Sequence, residues 1–232
     1  MTGYAPGPAL PRPFFGATTP SPEWMEQASP EQVIEWAGEA FGGYGDFILT
    51  CSFEDCVLID IATRVAPSIE VVFLDTGFHF PQTLAFMEQV KERYRLNLTI
   101  LKSGLADSES PCGSDNCCQL RKVGPLFSCL ERGQRKGWIT GLKRCDAPTR
   151  AGAQAIEWDG ARQLVKLNPL VRWSAADMAD YVKDYNLPVH PLTHEGYGSI
   201  GCAPVTIPSG DSKDPRAGRW AGSDKTECGL HT

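Results

Sequence analysis

Phe47-Ile48-Leu49-Thr50-Cys51-Ser52-Phe53-Glu54-Asp55-Cys56-Val57-Leu58-Ile59-Asp60-Ile61-Ala62-Thr63-Arg64-Val65 is the stretch that decides the fold. Residues 47–51 are a short apolar run, as in a strand buried on both faces. Four turn residues follow, and residues 56–65 then read as a helix. A strand that turns directly into a helix aims free backbone N–H groups at whatever binds there, which suits a phosphate. The turn lacks the glycine of a close phosphate loop, so it names no ligand by itself.

The same alternation continues on either side. Residues 71–74, 96–101, 138–141 and 164–167 read as further strands. Pro81–Tyr94 reads as a helix whose Leu84, Phe86, Met87 and Val90 form an apolar face, and residues 117–130 as another. Ser174 caps a last helix reaching Tyr185. Upstream, Ser29-Pro30-Glu31-Gln32 starts a helix with a capping box and proline at its first position, and Gly42-Gly43 stops it after Phe41. Strands alternating with helices predict an α/β fold: an open, mostly parallel, twisted sheet flanked by helices on both faces. Ligands in such sheets bind beyond the carboxyl ends of the strands.

Three regions are expected. Residues 1–28 form a proline-rich N-terminal arm with Pro6, Pro8, Pro11, Pro13, Pro20 and Pro22. Residues 29–206 form the nucleotide-binding domain, and residues 207–232 a mobile C-terminal tail rich in small and charged residues. The 232 residues carry a net charge of −6, which argues against a broad nucleic-acid surface. No apolar run approaches the ~20 residues that span a bilayer, and no secretory signal is visible, so a cytoplasmic protein without membrane contact is expected. Nine cysteines, an odd number, argue against a fully paired disulfide framework and for metal or thiol chemistry.

Several short motifs carry that chemistry. Leu74-Asp75-Thr76-Gly77 places a polar turn where the ligand crevice should lie. Cys117-Cys118-Gln119-Leu120-Arg121-Lys122 puts two adjacent thiols at a helix start, beside two cations. Adjacent cysteines rarely pair, and thiolates so placed are good iron ligands. Gly201-Cys202-Ala203-Pro204-Val205 looks like a C-x-x-C whose second cysteine is missing, because Val205 cannot ligate metal. Lys143-Arg144 at the end of the fourth strand suits phosphate or sulfate. Lys225-Thr226-Glu227-Cys228-Gly229-Leu230-His231 ends the chain with a thiol able to visit a pocket and then meet a partner. Glu227 disfavours its thiolate, so activation must come from Arg216, Arg219 or His231.

In order, Cys117-Cys118-x-x-Arg121-Lys122, Gly141-Leu142-Lys143-Arg144, Pro148-Thr149-Arg150-Ala151, Ser199-Ile200-Gly201-Cys202-Ala203-Pro204, Asp214-Pro215-Arg216-x-Gly218-Arg219-Trp220 and the Cys228 ending closely resemble the assimilatory sulfonucleotide reductases. Within that family the sequence resembles specifically the bacterial-type adenylyl-sulfate (APS) reductases, over about residues 30–232. The resemblance implies an adenine nucleotide alpha-hydrolase-like fold. It also implies reduction of APS to sulfite and AMP in sulfate assimilation, through an S-sulfocysteine on Cys228 that thioredoxin or a similar dithiol protein then reduces. Substrate would meet Ser52, Asp75, Thr76, Gly77, Lys122, Arg144, Arg216, Arg219 and His231. A [4Fe-4S] cluster would be held by Cys117, Cys118 and Cys202. Val205 leaves three outcomes open: a fourth ligand from Cys112 or solvent, a labile three-ligand cluster, or no cluster. Relatives without a cluster reduce the 3′-phosphorylated substrate (PAPS) and typically lack all four cysteines, so three retained cysteines favour APS. PAPS reduction, a cluster-impaired nucleotide-binding paralogue and a homo-oligomer stay open. An ATP-using adenylating enzyme on this fold is disfavoured, since residues 51–55 lack a Ser-Gly-Gly loop.

Overall fold

The structure is a computed structural model and describes residues 20–210, 212, 214–221 and 225–230. The opening strand–turn–helix unit forms as the sequence predicts, with β1 at Phe47–Cys51 and a helix, α3, at Val57–Val65. Alternate residues of β1 go to opposite faces. Phe47 and Leu49 join one buried cluster and Ile48 joins another, so both faces of the strand are covered.

Before β1, the helices α1 (Pro22–Gln27) and α2 (Pro30–Phe41) are both capped by serine. Ser21 accepts from the Trp24 N–H, and Ser29 and Gln32 close the expected capping box. After α3 come β2 (Glu70–Asp75), α4 (Pro81–Tyr94), β3 (Asn97–Lys102), a π-helical turn (Gln119–Val123), α5 (Gly124–Arg132), β4 (Gly137–Thr140), β5 (Ile156–Asp159), β6 (Leu164–Leu167) and α6 (Ala175–Asp184). The six strands lie in the order β3-β2-β1-β4-β6-β5. All neighbours pair in parallel except β5 and β6. The chain builds outward from β1 through β2 to β3, then returns to place β4 on the other side of β1. That reversal opens a crevice beyond the carboxyl ends of β1 and β4.

The larger core packs Val33, Ile34, Ile59, Phe73, Phe86, Ile139 and Leu167 on one face of the sheet. The smaller core packs Ile48, Val72, Leu74, Trp138 and Leu164 beneath Leu126 and Leu130 of α5. Leu230, from the extreme C-terminus, packs on this smaller core. No helix among the described residues is long and apolar enough to cross a membrane.

Two elements lie outside the sequence-based assignment. β5 pairs antiparallel with β6, and Glu157 and Lys166 face each other in register as a buried ion pair with Nζ to Oε2 at 3.3 Å. α1 forms within the segment read as an arm, where Glu26 takes a two-pronged ion pair from Arg144. The tail read as mobile is tied back at several described points. Ile207 N–H donates to the Gly218 carbonyl at 2.9 Å and Trp220 N–H to the Val205 carbonyl at 2.8 Å.

Candidate active site

The π-helical turn decides where the chemistry sits. Its wider winding interrupts the helix that begins at Cys117, a local form that recurs at functional sites. It turns Arg121 inward, where the guanidinium donates from Nη1 to the Thr76 carbonyl at 3.1 Å, from Nε to the Ser110 carbonyl at 3.0 Å and from Nη2 to the Ala106 carbonyl at 2.8 Å. Arg121 thus fastens the end of β2 and the loop before the turn to a single point. Lys122 lines, with Arg121, a cleft that Thr76, Cys112, Cys117, Cys118, Cys202 and Arg219 also line.

Four of the nine cysteines therefore share one wall. Cys117, Cys118 and Cys202 are the three expected there, and Cys112 joins them from the preceding loop. Cys112 and Cys202 line the cleft together, and the Thr76 hydroxyl lies 3.4 Å from the Cys202 sulfur. The neighbouring Cys112 thiol, with Lys122 and Thr76, pulls the Cys202 thiol well below its usual pKa despite burial. Cys112 is pushed up by its proximity to Cys202 and by burial. Burial also raises Cys118, partly offset by Lys122 and by Lys225, whose Nζ donates to the Cys118 sulfur at 3.3 Å. Burial alone would lower the Lys122 ammonium; the sulfurs of Cys202, Cys228 and Cys118 outweigh it and hold the pKa up. Among the described residues, no group of three or more His, Cys, Asp or Glu forms a single-ion metal site. The thiols are spread along a wall rather than gathered on a point.

Cys228 is half-buried and within electrostatic reach of Lys122, Cys118 and Arg150. Its neighbour Glu227 is buried and fully engaged. Arg150 donates from Nε and Nη2 to the two carboxylate oxygens at 2.7 and 2.8 Å, Thr149 donates at 3.2 Å and Arg216 at 3.3 Å. Burial opposes the charge on Glu227, but these donors win and hold its pKa below the ordinary value. The expectation that Glu227 would act as an unscreened negative charge beside the thiol is met by two guanidinium groups that neutralise it.

The other expected site residues divide into two sets. Arg219 lines the cleft, donates to the Ser199 hydroxyl at 3.2 Å and keeps its buried Nε without a hydrogen-bond partner among the described residues. Arg216 lies against Trp220 and the Thr226 carbonyl. Ser52 is exposed at the end of β1. Beside it the half-buried Glu54 carboxyl, its pKa raised by desolvation, accepts from the Ile200 N–H at 3.0 Å. Asp75 is bound to Lys102 at 2.9 Å and to the Gly77 N–H, and Thr76 faces Cys202, so this turn supports the cysteine wall. Arg144 lies away from the cleft, with Nε on the Ala153 carbonyl and both Nη atoms on Glu26. His231 lies outside the described residues.

Sequence reasoning passed over Arg150 and Lys225 as site residues. Arg150 was visible only as the end of Pro148-Thr149-Arg150, and nothing local tells that its partner comes seventy-seven positions later.

Residues 47–208 match the family described as the phosphoadenosine phosphosulfate reductase domain. The adenosine 5′-phosphosulfate reductase of Rhodococcus opacus is 42% identical over 224 residues, covering 89% of this chain and 90% of that protein. That of Mycolicibacterium smegmatis is 40% identical over 216 residues, with the same coverage. In structure, the phosphoadenylyl-sulfate reductase of Candida auris in a phosphate complex aligns with a TM-score of 0.68 at 24% identity, over 83% of this chain and all of that one. The FMN adenylyltransferase of Candida glabrata aligns at 0.60 and 17%, a likeness of fold alone. Profile, relatives and fold agree: this chain belongs to the sulfonucleotide reductase family.

Proposed function

We propose that this chain reduces adenylyl sulfate to sulfite and AMP, with Cys228 as nucleophile. The observation that carries the reading is Lys122, one ammonium that lines the cysteine cleft and lies within electrostatic reach of the Cys228 thiol. A cation there would neutralise the sulfate end of the substrate as the thiolate approaches. Arg219 offers an unpartnered buried N–H on the same side. Ser52 and the backbone at the end of β1 lie where the switch point would hold the nucleotide.

The chemistry balances in two displacements. The Cys228 thiolate attacks the sulfur of the phosphosulfate, the bond from that sulfur to the bridging oxygen breaks, and AMP leaves with the electron pair. The enzyme then carries an S-sulfocysteine. A thiolate of a thioredoxin-type dithiol protein attacks the Cys228 sulfur and expels sulfite. Its second thiol resolves the mixed disulfide, so the donor is oxidised by two electrons and Cys228 returns as a thiol.

The cysteine wall fits an iron–sulfur cluster in kind. It supplies thiols, the ligands such clusters take, and it is flanked by Lys122 and Arg219, which offset negative charge. Cys117, Cys118 and Cys202 would be among the ligands. When bound, the group would supply a compact anionic iron–sulfide body that orients Lys122. The sulfur transfer itself runs through Cys228.

Intact-mass spectrometry of reduced protein mixed with APS is the test. An adduct with the mass of SO3, mapped to Cys228 and absent in Cys228→Ser, is expected, with AMP released. No adduct and no AMP overturns the proposal. Faster release of the 3′-phosphorylated nucleotide from PAPS reassigns the substrate.

A further inference from the structure

Position 205, where the C-x-x-C pattern would put its second thiol, is not simply vacant of function. Val205 packs against Gly113, so closely that a Cβ added at Gly113 would lie 3.0 Å from Val205 Cγ1. Gly113 also has φ +87°, a conformation that other residues adopt with strain. The residue before it is Cys112, which lines the same cleft as Cys117, Cys118 and Cys202.

We propose that Cys112 is the fourth thiolate of the cluster site, supplied from the loop opposite Val205 in place of the cysteine missing there. The inference rests on the reading that the cysteine wall holds an iron–sulfur cluster.

The loop is built for the task. Pro111 and Ser114 close a turn around Cys112, with the Ser114 N–H on the Pro111 carbonyl at 3.1 Å. The Cys117 N–H donates to the Ser114 carbonyl at 3.1 Å and so joins this turn to the next ligand. Arg121 clamps both ends of the unit, since it belongs to the turn that follows Cys118 and holds the Ser110 and Ala106 carbonyls. Cys112, Cys117 and Cys118 are thereby one rigid piece, and Cys202 faces it from the strand-like segment that bridges His79. A four-iron cluster takes one thiolate on each iron, which suits donors spread along a wall. Each thiol gives up its proton on binding.

Anaerobic reconstitution with iron and sulfide tests the assignment through metal content and visible absorption, without any turnover. Wild type is expected to bind about four iron atoms per chain, and Cys112→Ser to lose most of them. Val205→Cys should bind no more iron than wild type. The double variant Cys112→Ser with Val205→Cys should recover it, because a thiol is restored across the same gap. A thiol footprint needs no variant: alkylation of Cys112, Cys117, Cys118 and Cys202 should fall together on iron loading, while exposed Cys145 stays reactive. If wild type binds a full cluster and Cys112→Ser keeps it, or Cys112 stays reactive in loaded protein, the assignment is wrong and the cluster reading survives. If wild type binds no iron under these conditions, both fail.

Discussion

Arg150 and Glu227 meet side on, Nε to Oε1 at 2.7 Å and Nη2 to Oε2 at 2.8 Å, with both side chains less than a tenth exposed. The pair joins the loop after β4 to the residue immediately before Cys228. A two-pronged contact fixes orientation as well as distance, so the position of Cys228 is set from its neighbour.

Removing that contact should therefore act on chemistry more than on the fold. Glu227→Gln is expected to lower kcat/KM about tenfold or more, consistent with about 1.5–3 kcal/mol for a hydrogen bond to a charged group. Arg150→Gln should do much the same, and the double variant should lose less than the sum of the two. Steady-state kinetics of the three proteins check it; additive losses would mean that the residues act independently.

The pH dependence follows from the sign of the Glu227 shift. Its folded pKa lies below the ordinary carboxylate value, so the folded state holds fewer protons than the unfolded state as acid is added. The contribution is complete above about pH 4.3, the unperturbed glutamate value, and is lost as pH falls through the folded value. Wild type and Glu227→Gln should thus differ most in unfolding free energy near neutrality and converge in acid. A difference that stays constant down to pH 3 contradicts this.

Lys122→Gln should fold normally and lose at least about tenfold in the rate of Cys228 sulfonation, from loss of a charge-assisted contact. Rapid-quench mass spectrometry isolates that step from the later reduction. An unchanged rate would remove Lys122 from the substrate site.

Gly201 offers a test of Arg219 from a distance. A Cβ there would lie 2.2 Å from the Arg219 guanidinium, so Gly201→Ala must push that side chain off Ser199. KM should rise by about the same factor as in Arg219→Ala, and the double variant should add little further loss.

Arg144→Ala should leave kcat/KM unchanged. Its ion pair with Glu26 has half-exposed partners, and such surface pairs contribute about 0–1 kcal/mol. Thermal melts and kinetics together decide; a large loss of activity would bring Arg144 back to the substrate.

The parts of the fold readable in the sequence are those where the hydrophobic pattern is local. Pro81–Tyr94 and Pro30–Phe41 are bounded by their own prolines, caps and glycines, and Leu164–Leu167 by its apolar run. β5 escapes because Ile156-Glu157-Trp158-Asp159 buries a charge, and burial of Glu157 makes sense only when Lys166 stands across from it. The π-helical turn is invisible to a period count, since one widened turn does not disturb the apolar spacing around it. At the site, Lys122, Arg219, Cys117, Cys118 and Cys202 could be anticipated as neighbours from their motifs. Cys112 could be named only as one stand-in beside solvent, and the grip of Arg150 not at all, because each depends on a partner far away in the chain.

The anchoring of Trp220 limits where Cys228 can ever go. Trp220 is fixed by its N–H to the Val205 carbonyl, and Cys228 lies eight positions further along the chain. At about 3.3–3.6 Å per residue, the leash is at most roughly 29 Å when drawn straight. Even with Glu227 released and Leu230 lifted from the core, the sulfur cannot leave a sphere of that radius centred on the cleft rim. An electron donor must therefore bring its own thiol inside that sphere. Lengthening the leash by inserted residues should widen the range of donors that can reach the sulfur.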